Sequence, residues 1–298
     1  MNKAELIFFY LATGFYSLAF IMKLFHGFDK SNLYNVFKRD WLLIFGFVFH
    51  LFTIILRWEF SGHLPVMGTY ESALSGSLVT AFLIILFKRK YPEILIVHQI
   101  GLLLIITLMF YGFLFPAEYI PLTISEQSVW IDVHAFFAWV ALGNYVIAFG
   151  CAAGVIFPGT DMNDRINHKQ GLMNQPPANI GTLHTSFRRG GVTRPIQDEI
   201  MFYSLCVGFF FQTLMMATGI YYNFILFGHW WRWDPIETVA LISWLVSGLV
   251  IHAKLFYGWK ERRFAILVIV SFLFIIILYK VFPFLPRAVT FHNFDLTF

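Results

Sequence analysis

Charged residues and cysteines are both scarce in this chain of 298 residues. Asp, Glu, Lys and Arg together make up 13% of the sequence, where a soluble domain carries about 25%. This deficit excludes a soluble enzyme and a disordered chain. The two cysteines, Cys151 and Cys206, stand in apolar stretches without a Cys-x-x-Cys spacing. They exclude a disulfide scaffold, and we expect both to be small apolar residues inside helices.

Apolar residues are correspondingly abundant. They make up 58% of the chain, and the mean hydropathy is +0.69. Eight runs are long enough to cross a bilayer, at about 20 residues per span. They cover residues 5–25, 41–58, 70–87, 94–115, 129–157, 199–222, 239–257 and 264–283. Runs of this length without strand-like alternation are helices, because lipid cannot satisfy a bare backbone. The sequence therefore predicts an all-α integral membrane protein, with residues 1–298 forming a single polytopic domain.

The Lys and Arg residues divide unequally between the two sides of such a bundle. If the chain alternates through eight spans, sixteen of the 21 fall in loops on one side. The other five are Lys3, Arg57, Arg232, Lys280 and Arg287. Because cytoplasmic loops carry the excess of Lys and Arg, both termini are predicted to lie outside, on the periplasmic face of a bacterial cytoplasmic membrane. The same distribution accounts for the net charge of +4, so we expect no nucleic acid partner.

Two connecting segments differ in character. Residues 158–198 are rich in Gly, Pro and Asn and are predicted to form a mobile cytoplasmic loop. Residues 223–238 are predicted to form a periplasmic, tryptophan-rich loop. Asp234, Pro235 and Glu237 at its end have the spacing of a capping box that opens the seventh span.

Three tryptophans crowd into four positions of this second loop. Trp230, Trp231 and Trp233 stand at the membrane surface with Arg232 among them. An interfacial aromatic belt is one interpretation, since Trp is common at that depth. The alternative is a binding site for a flat apolar ligand with an anionic edge, because aromatic faces stack on such a ligand and a cation meets its carboxylates.

Ten histidines are many for so apolar a chain. By the predicted topology four lie on the outer side, and they are His63, His134, His229 and His292. Neutral imidazole is a common ligand of haem iron, and two histidines from different segments could hold an iron from both faces. For each one singly, a hydrogen-bonded structural role stays open.

Three further histidines fall within the spans, and they are His50, His98 and His252. At 1.5 Å per residue, His98 lies about 6 Å and His252 about 7.5 Å from the inner surface. Ionisable groups at such depth are candidates for function.

The tryptophan-rich run resembles a known signature. Trp231, Trp233, Asp234, Pro235, Glu237 and Thr238 match the WGxYWxWDPKET motif of haem-handling proteins of cytochrome c biogenesis. The run 62–72, with Gly62-His63-Leu64-Pro65 and Tyr70-Glu71-Ser72, is similar to a second stretch of that family. The same family pattern is also matched by Asp198, Tyr203, Gly208, Phe209 and Gly219, and by the run 250–263. The sequence is most similar to the CcsA/ResC type, which belongs to the system II synthase.

The resemblance implies a role for each candidate residue. His134 and His292 would be the axial ligands of a haem b at the outer face, and His252 would ligate haem within the membrane. The tryptophans, with Arg232 and Asp234, would line the outer site. The implied partners are a membrane subunit of the CcsB/ResB type and an apocytochrome c with a Cys-x-x-Cys-His motif.

The resulting hypothesis is haem transport across the membrane, followed by covalent attachment to apocytochrome c. The chain would then be part of a holocytochrome c synthase. Two alternatives stay open. One is a system I haem-delivery protein of the CcmC type, which usually has fewer spans. The other is a di-haem electron-transfer subunit acting on quinone, suggested by the similar depth of His98 and His252.

Overall fold

The helical architecture is seen in a computed structural model that describes residues 2–24, 41–92, 94–119, 122–123, 126–157 and 194–281. Within these ranges there are eight helices and no strand. The helices are α1 (Lys3–Leu24), α2 (Trp41–Ser61), α3 (Gly68–Lys90), α4 (Leu95–Phe113), α5 (Val129–Ile156), α6 (Arg194–Phe227), α7 (Pro235–Phe256) and α8 (Glu261–Val281). All eight contain a span long and apolar enough to cross a membrane. The predicted all-α membrane fold with eight spans is confirmed.

Several helices extend beyond the apolar runs that reveal them. The predicted span 199–222 belongs to a helix that covers Arg194–Phe227. Hydropathy detects only the part of a helix that lies in lipid, whereas backbone hydrogen bonding continues into the polar flanks. Residues 223–227 and 235–238, which we placed in the tryptophan-rich loop, are therefore helical. The loop itself, called the tryptophan loop below, consists of residues 228–234.

Helix α5 is the centre of the bundle. It packs most extensively on α6, and it also contacts α3, α4 and α8. Glycines make these approaches close. A Cβ atom at Gly150 would lie 2.9 Å from the Cα atom of Val97 in α4, so only glycine fits this contact. Helix α7 lies at the edge and packs on α6 and α8.

The two cysteines lie in the interior pair of helices. Cys151 in α5 is buried, and Cys206 in α6 is partly buried. Both are thiols within helices, as predicted.

A partly buried ion pair and a hydrogen bond to its carboxylate join three helices at one end of the bundle. The Asp198 carboxylate pairs with Lys254 of α7 and accepts a hydrogen bond from the backbone N–H of Glu261, at 2.8 Å. Residues 194–198, which we placed in the 158–198 loop, thus belong to the first turns of α6. The tertiary contact explains the difference, because the carboxylate is held by α7 and by the start of α8. Residues 158–193 lie outside the described residues.

Candidate functional site

The tryptophan loop reverses the chain between α6 and α7 through two residues with positive φ. Gly228 has φ +72° and ends α6, while Trp233 has φ +58°. Glycine adopts this left-handed conformation at little cost. A tryptophan does not, so the surrounding contacts must hold Trp233 there.

Those contacts centre on the first turn of α7. Asp234 is the N-cap, and its carboxylate accepts a hydrogen bond from the N–H of Ile236 at 2.7 Å. Glu237 reaches back to the N–H of Asp234 at 3.4 Å, which completes the predicted capping box. The same Glu237 oxygen accepts from the N–H of Arg232 at 2.9 Å, and the other oxygen accepts from the side-chain amide of Asn223 at 2.5 Å. The loop is thereby tied to both flanking helices.

The loop presents aromatic surface outward. Trp233 is 70% exposed and Trp230 is 54% exposed. The Trp230 ring stacks on Phe224 at a centroid distance of 4.0 Å, and Trp231 meets Trp233 edge to face at 5.9 Å. Among the described residues, the buried indole N–H of Trp231 has no hydrogen-bond acceptor.

The loop's one cation lies against an aromatic ring. The Arg232 guanidinium sits 3.9 Å above the centre of the Phe227 ring at the end of α6. This cation–π contact holds a positive charge within the loop.

His134 lies in the second turn of α5, facing α6. Its Nδ1 atom is hydrogen-bonded to the backbone carbonyl of Met215 at 2.8 Å. A Cβ atom at Gly219 would lie 2.9 Å from this Nδ1 atom, so the glycine makes room for the imidazole. A carbonyl acceptor requires a proton on Nδ1, which fixes the tautomer whose lone pair is on Nε2. That is the form in which an imidazole binds a metal.

Asn223 and Met215 were missed by sequence reasoning. Asn223 is a polar residue near the end of an apolar helix, which is enough to mark it as a candidate for function. The sequence does not show which residue it contacts. Met215 acts through its backbone carbonyl, which no side-chain pattern reveals. Gly219 matched a family motif, and the structure supplies the reason for a glycine there.

His252 lies on the face of α7 that points away from the bundle, not in the bundle interior. Its ring is exposed and stacks on Phe256 at a centroid distance of 4.0 Å. A shallow groove of about 290 Å³ runs between α7 and α8 and includes Val250 and Ala253 among its lining residues. Its depth within the seventh span does not bury it, because α7 is a peripheral helix.

The other histidines have separate surroundings. His50 is fully buried, and its Nε2 atom bonds the Leu74 carbonyl at 3.0 Å, so its role is structural. His98 is buried edge-on against Phe87. His63 bonds the Leu64 carbonyl through Nδ1 at 2.9 Å, and His229 is exposed in the tryptophan loop. His292 lies outside the described residues.

A buried charge cluster lies near the ends of α1, α2 and α3. Arg57 is 3% exposed and donates to Glu71 at 2.7 Å, with Glu5 at 3.8 Å. It also donates to the carbonyls of residues 117–118 at 2.8 and 2.9 Å. Tyr119 donates a hydrogen bond to Glu5 at 2.7 Å. Burial, and to a lesser extent this hydrogen bond, raises the pKa of the Tyr119 hydroxyl, so the hydroxyl stays protonated at neutral pH. The sequence predicts that Arg57 lies on the periplasmic side, but it does not predict the cluster.

Comparison with known proteins decides the family. The sequence pattern of the family described as "Cytochrome C assembly protein" matches residues 66–288, which is most of the chain. The chain belongs to this family.

Individual relatives agree with the match. The chain is 27% identical to the cytochrome c biogenesis protein CcsA of Prochlorococcus marinus strain MIT 9515, over 83% of this chain and 82% of that protein. It is 25% identical to the CcsA of Mesostigma viride, over 91% of this chain and 92% of the other. The predicted resemblance to CcsA-type proteins of cytochrome c biogenesis is confirmed, and the chain is a multi-pass membrane protein of that process.

A solved structure shares the fold. The chain superimposes on the cytochrome c heme lyase CcmF with a TM-score of 0.61 at 16% identity. The match covers 95% of this chain and 50% of the lyase, so the chain spans half the length of that protein.

Proposed function

We propose that the chain takes haem b as its substrate, carries it across a bacterial cytoplasmic membrane and presents it for covalent attachment to an apocytochrome c. The observation that carries this proposal is His134 near the start of α5, whose imidazole is fixed by the Met215 carbonyl on the side of the bundle where α6 leads into the tryptophan loop. Membership of the cytochrome c assembly family supports it.

The residues of this end fit a haem. His134 would be one axial ligand of the iron, and His292 would be the other. Trp230 and Trp233 offer exposed ring faces for the macrocycle. The unsatisfied indole N–H of Trp231 is a donor of the kind that a haem carboxylate accepts. Arg232 and Asp234 would complete the site.

The proposed attachment of haem is an addition reaction. Each cysteine thiol of the Cys-x-x-Cys-His motif would add across a haem vinyl group, so that a C–S and a C–H bond form while the S–H bond and the π bond of the vinyl C=C break. The described residues would contribute position, since holding reactants in place accounts for much of such catalysis. As part of a holocytochrome c synthase, the chain would act on two substrates held at one face.

His252 would bind haem at an earlier stage, within the membrane. Its exposure on α7 favours access from lipid or from another subunit. A CcsB/ResB-type subunit is the partner we propose for that surface. In this arrangement the 158–198 segment is cytoplasmic, and the tryptophan loop and both termini are periplasmic.

The two alternative functions have less support. A CcmC-type delivery protein usually has fewer spans than the eight found among the described residues. In the di-haem quinone hypothesis His98 and His252 would share a site. However, His98 is buried in α4 whereas His252 is exposed on α7, which packs on α6 and α8.

The proposal is tested by the absorption spectrum of the purified chain, produced with and without the partner subunit. We expect bound haem with bis-histidine features, and maturation of a reporter cytochrome c only when the partner is present. A chain that purifies without haem under both conditions, while the reporter still matures, contradicts the proposal.

A further inference from the structure

We propose that Asn223 and Glu237 form a single anchor that holds Trp233 in its left-handed, exposed conformation, and that both are positioning residues for the haem-binding face. This inference rests on the function proposed above. Glu237 then does more than complete a capping box, and Asn223 helps to hold Trp233 in place.

Trp233 has an unusual backbone conformation. Its φ of +58° brings the Cβ atom close to the following carbonyl, so an L-residue with a side chain avoids this region. Its indole is 70% exposed, so burial of the side chain does not explain the conformation. The backbone on either side must supply the reason.

Two backbone amides flank Trp233 and share one acceptor. The N–H groups of Arg232 and Asp234 both donate to one oxygen of Glu237, at 2.9 and 3.4 Å. Backbone amides converge on an anion in this way where the chain passes through a left-handed residue. Here the anion belongs to the protein, and the carboxylate of Glu237 stabilises the turn at Trp233.

The Glu237 carboxylate also contacts α6. A capping box needs only the N-cap amide. Glu237 also takes the side-chain amide of Asn223 on its second oxygen, at 2.5 Å, and Asn223 is half-buried near the end of α6. The carboxylate therefore fixes the distance between α6 and α7 at the point where the loop leaves and returns. Without it, Trp233 is free to relax to a negative φ, which redirects its ring.

The test uses substitutions that separate this anchor from a general loss of stability. The variants are Asn223→Ala, Asn223→Asp, Glu237→Gln and the exchange Asn223→Asp with Glu237→Gln. Asn223→Asp places two carboxylates in contact and should be worse than Asn223→Ala. The exchange restores a donor and an acceptor between the two positions and should recover much of the loss.

Two control variants match the chemistry. Asn144→Ala removes an amide that bonds within α5, to the Val140 carbonyl. Glu199→Gln neutralises an exposed carboxylate near the start of α6, at the opposite end of that helix from Asn223. Neither touches the tryptophan loop.

The first readout needs no haem. The chain is labelled with 5-fluorotryptophan, and the ¹⁹F resonance of Trp233 is assigned with Trp233→Phe. We expect this resonance to shift or broaden in Asn223→Ala and Glu237→Gln, to recover in the exchange variant, and to stay unchanged in both controls. A Trp233 resonance that is unchanged in Asn223→Ala and Glu237→Gln overturns the anchor.

The second readout is the rate at which haem leaves for apomyoglobin. Loss of a charge-assisted bond should raise this rate by roughly tenfold to a hundredfold. The effects of the two single variants should not add, because they act on one bond. A moved resonance with an unchanged rate overturns the positioning role. A wild-type chain that binds no haem contradicts the proposed function instead, and the fluorine readout alone then decides on the anchor.

Discussion

At the scale of single residues, the imidazole of His134 is held in place before any ligand arrives. One hydrogen bond to the Met215 carbonyl sets its tautomer, and the missing side chain of Gly219 sets the space beside it. A ligand held by such an outer contact loses little freedom on binding a metal, and loss of such contacts costs about 10–100-fold in metal affinity.

The first prediction concerns the proposed role of His134 as an iron ligand. His134→Ala should lower haem retention by at least about tenfold, because the outer contact is lost together with the ligand itself. Imidazole added to the medium should restore part of it by supplying the same donor atom. The measurement is bound haem per chain and reporter cytochrome c maturation, with and without imidazole. His229→Ala, in the exposed loop, is the control, and normal maturation in His134→Ala would refute the assignment.

The second prediction concerns stacking area. Trp233→Ala should weaken haem binding by about 1–3 kcal/mol, the amount typical of one base stacked on an aromatic ring, and Trp233→Phe should be milder. Haem titration followed by absorbance measures both. Trp58→Ala in α2 removes an indole that is 50% exposed and lies far along the chain from the loop, and it should have no effect. Equal affinities for all three variants would mean that the loop serves only as a membrane anchor.

At the scale of elements, the sequence predicts best what depends on neighbours in the chain. Eight spans were readable because lipid leaves the backbone no alternative to a helix. The capping box at Asp234 was readable because its partners lie within four residues. The hydrogen bonds of Asn223 with Glu237 and of His134 with Met215 join different helices. The hydrophobic periodicity of a single helix does not predict such bonds. The exposure of His252 was missed for the same reason, because it depends on where α7 packs.

The packing of α5 on α6 yields the third prediction. Gly219→Ala places a Cβ atom 2.9 Å from Nδ1 of His134, so the ring must move and its bond to Met215 must lengthen. We expect a lower melting temperature, by the equivalent of about 1 kcal/mol, and faster haem loss.

Gly14→Ala is the matched control for this substitution. A Cβ atom at Gly14 meets no atom within 4 Å, so alanine there should be neutral or stabilise α1 by about 0.5–1 kcal/mol. Thermal unfolding in detergent and haem dissociation measure both variants. If Gly219→Ala behaves like Gly14→Ala, the glycine has no part in placing the imidazole.

At the scale of the whole molecule, the polar clusters lie at opposite ends of one bundle. The Arg57 cluster joins the N-terminal end of α1 to the C-terminal end of α2, and His134 lies at the start of α5 beside the last turns of α6. Asp198 and Lys254 join α6 to α7 at the other end. In the function proposed above, haem would enter near His252 and leave near His134, so it would have to travel along the bundle, and the orientation in the membrane would set the direction of transport.

The fourth prediction tests that orientation. Sixteen of the 21 Lys and Arg residues lie on the Asp198 side by the alternating topology, so that side should face the cytoplasm. In a background without Cys151 and Cys206, a membrane-impermeant maleimide added to whole spheroplasts should label Ser128→Cys and leave Lys260→Cys unlabelled. Both positions lie outside the helices, and Lys260 is exposed. Permeabilised cells should show labelling of both, which controls for reactivity. The opposite pattern would place the tryptophan loop in the cytoplasm, where no periplasmic apocytochrome could reach it, and the direction of haem movement would have to be reversed with it.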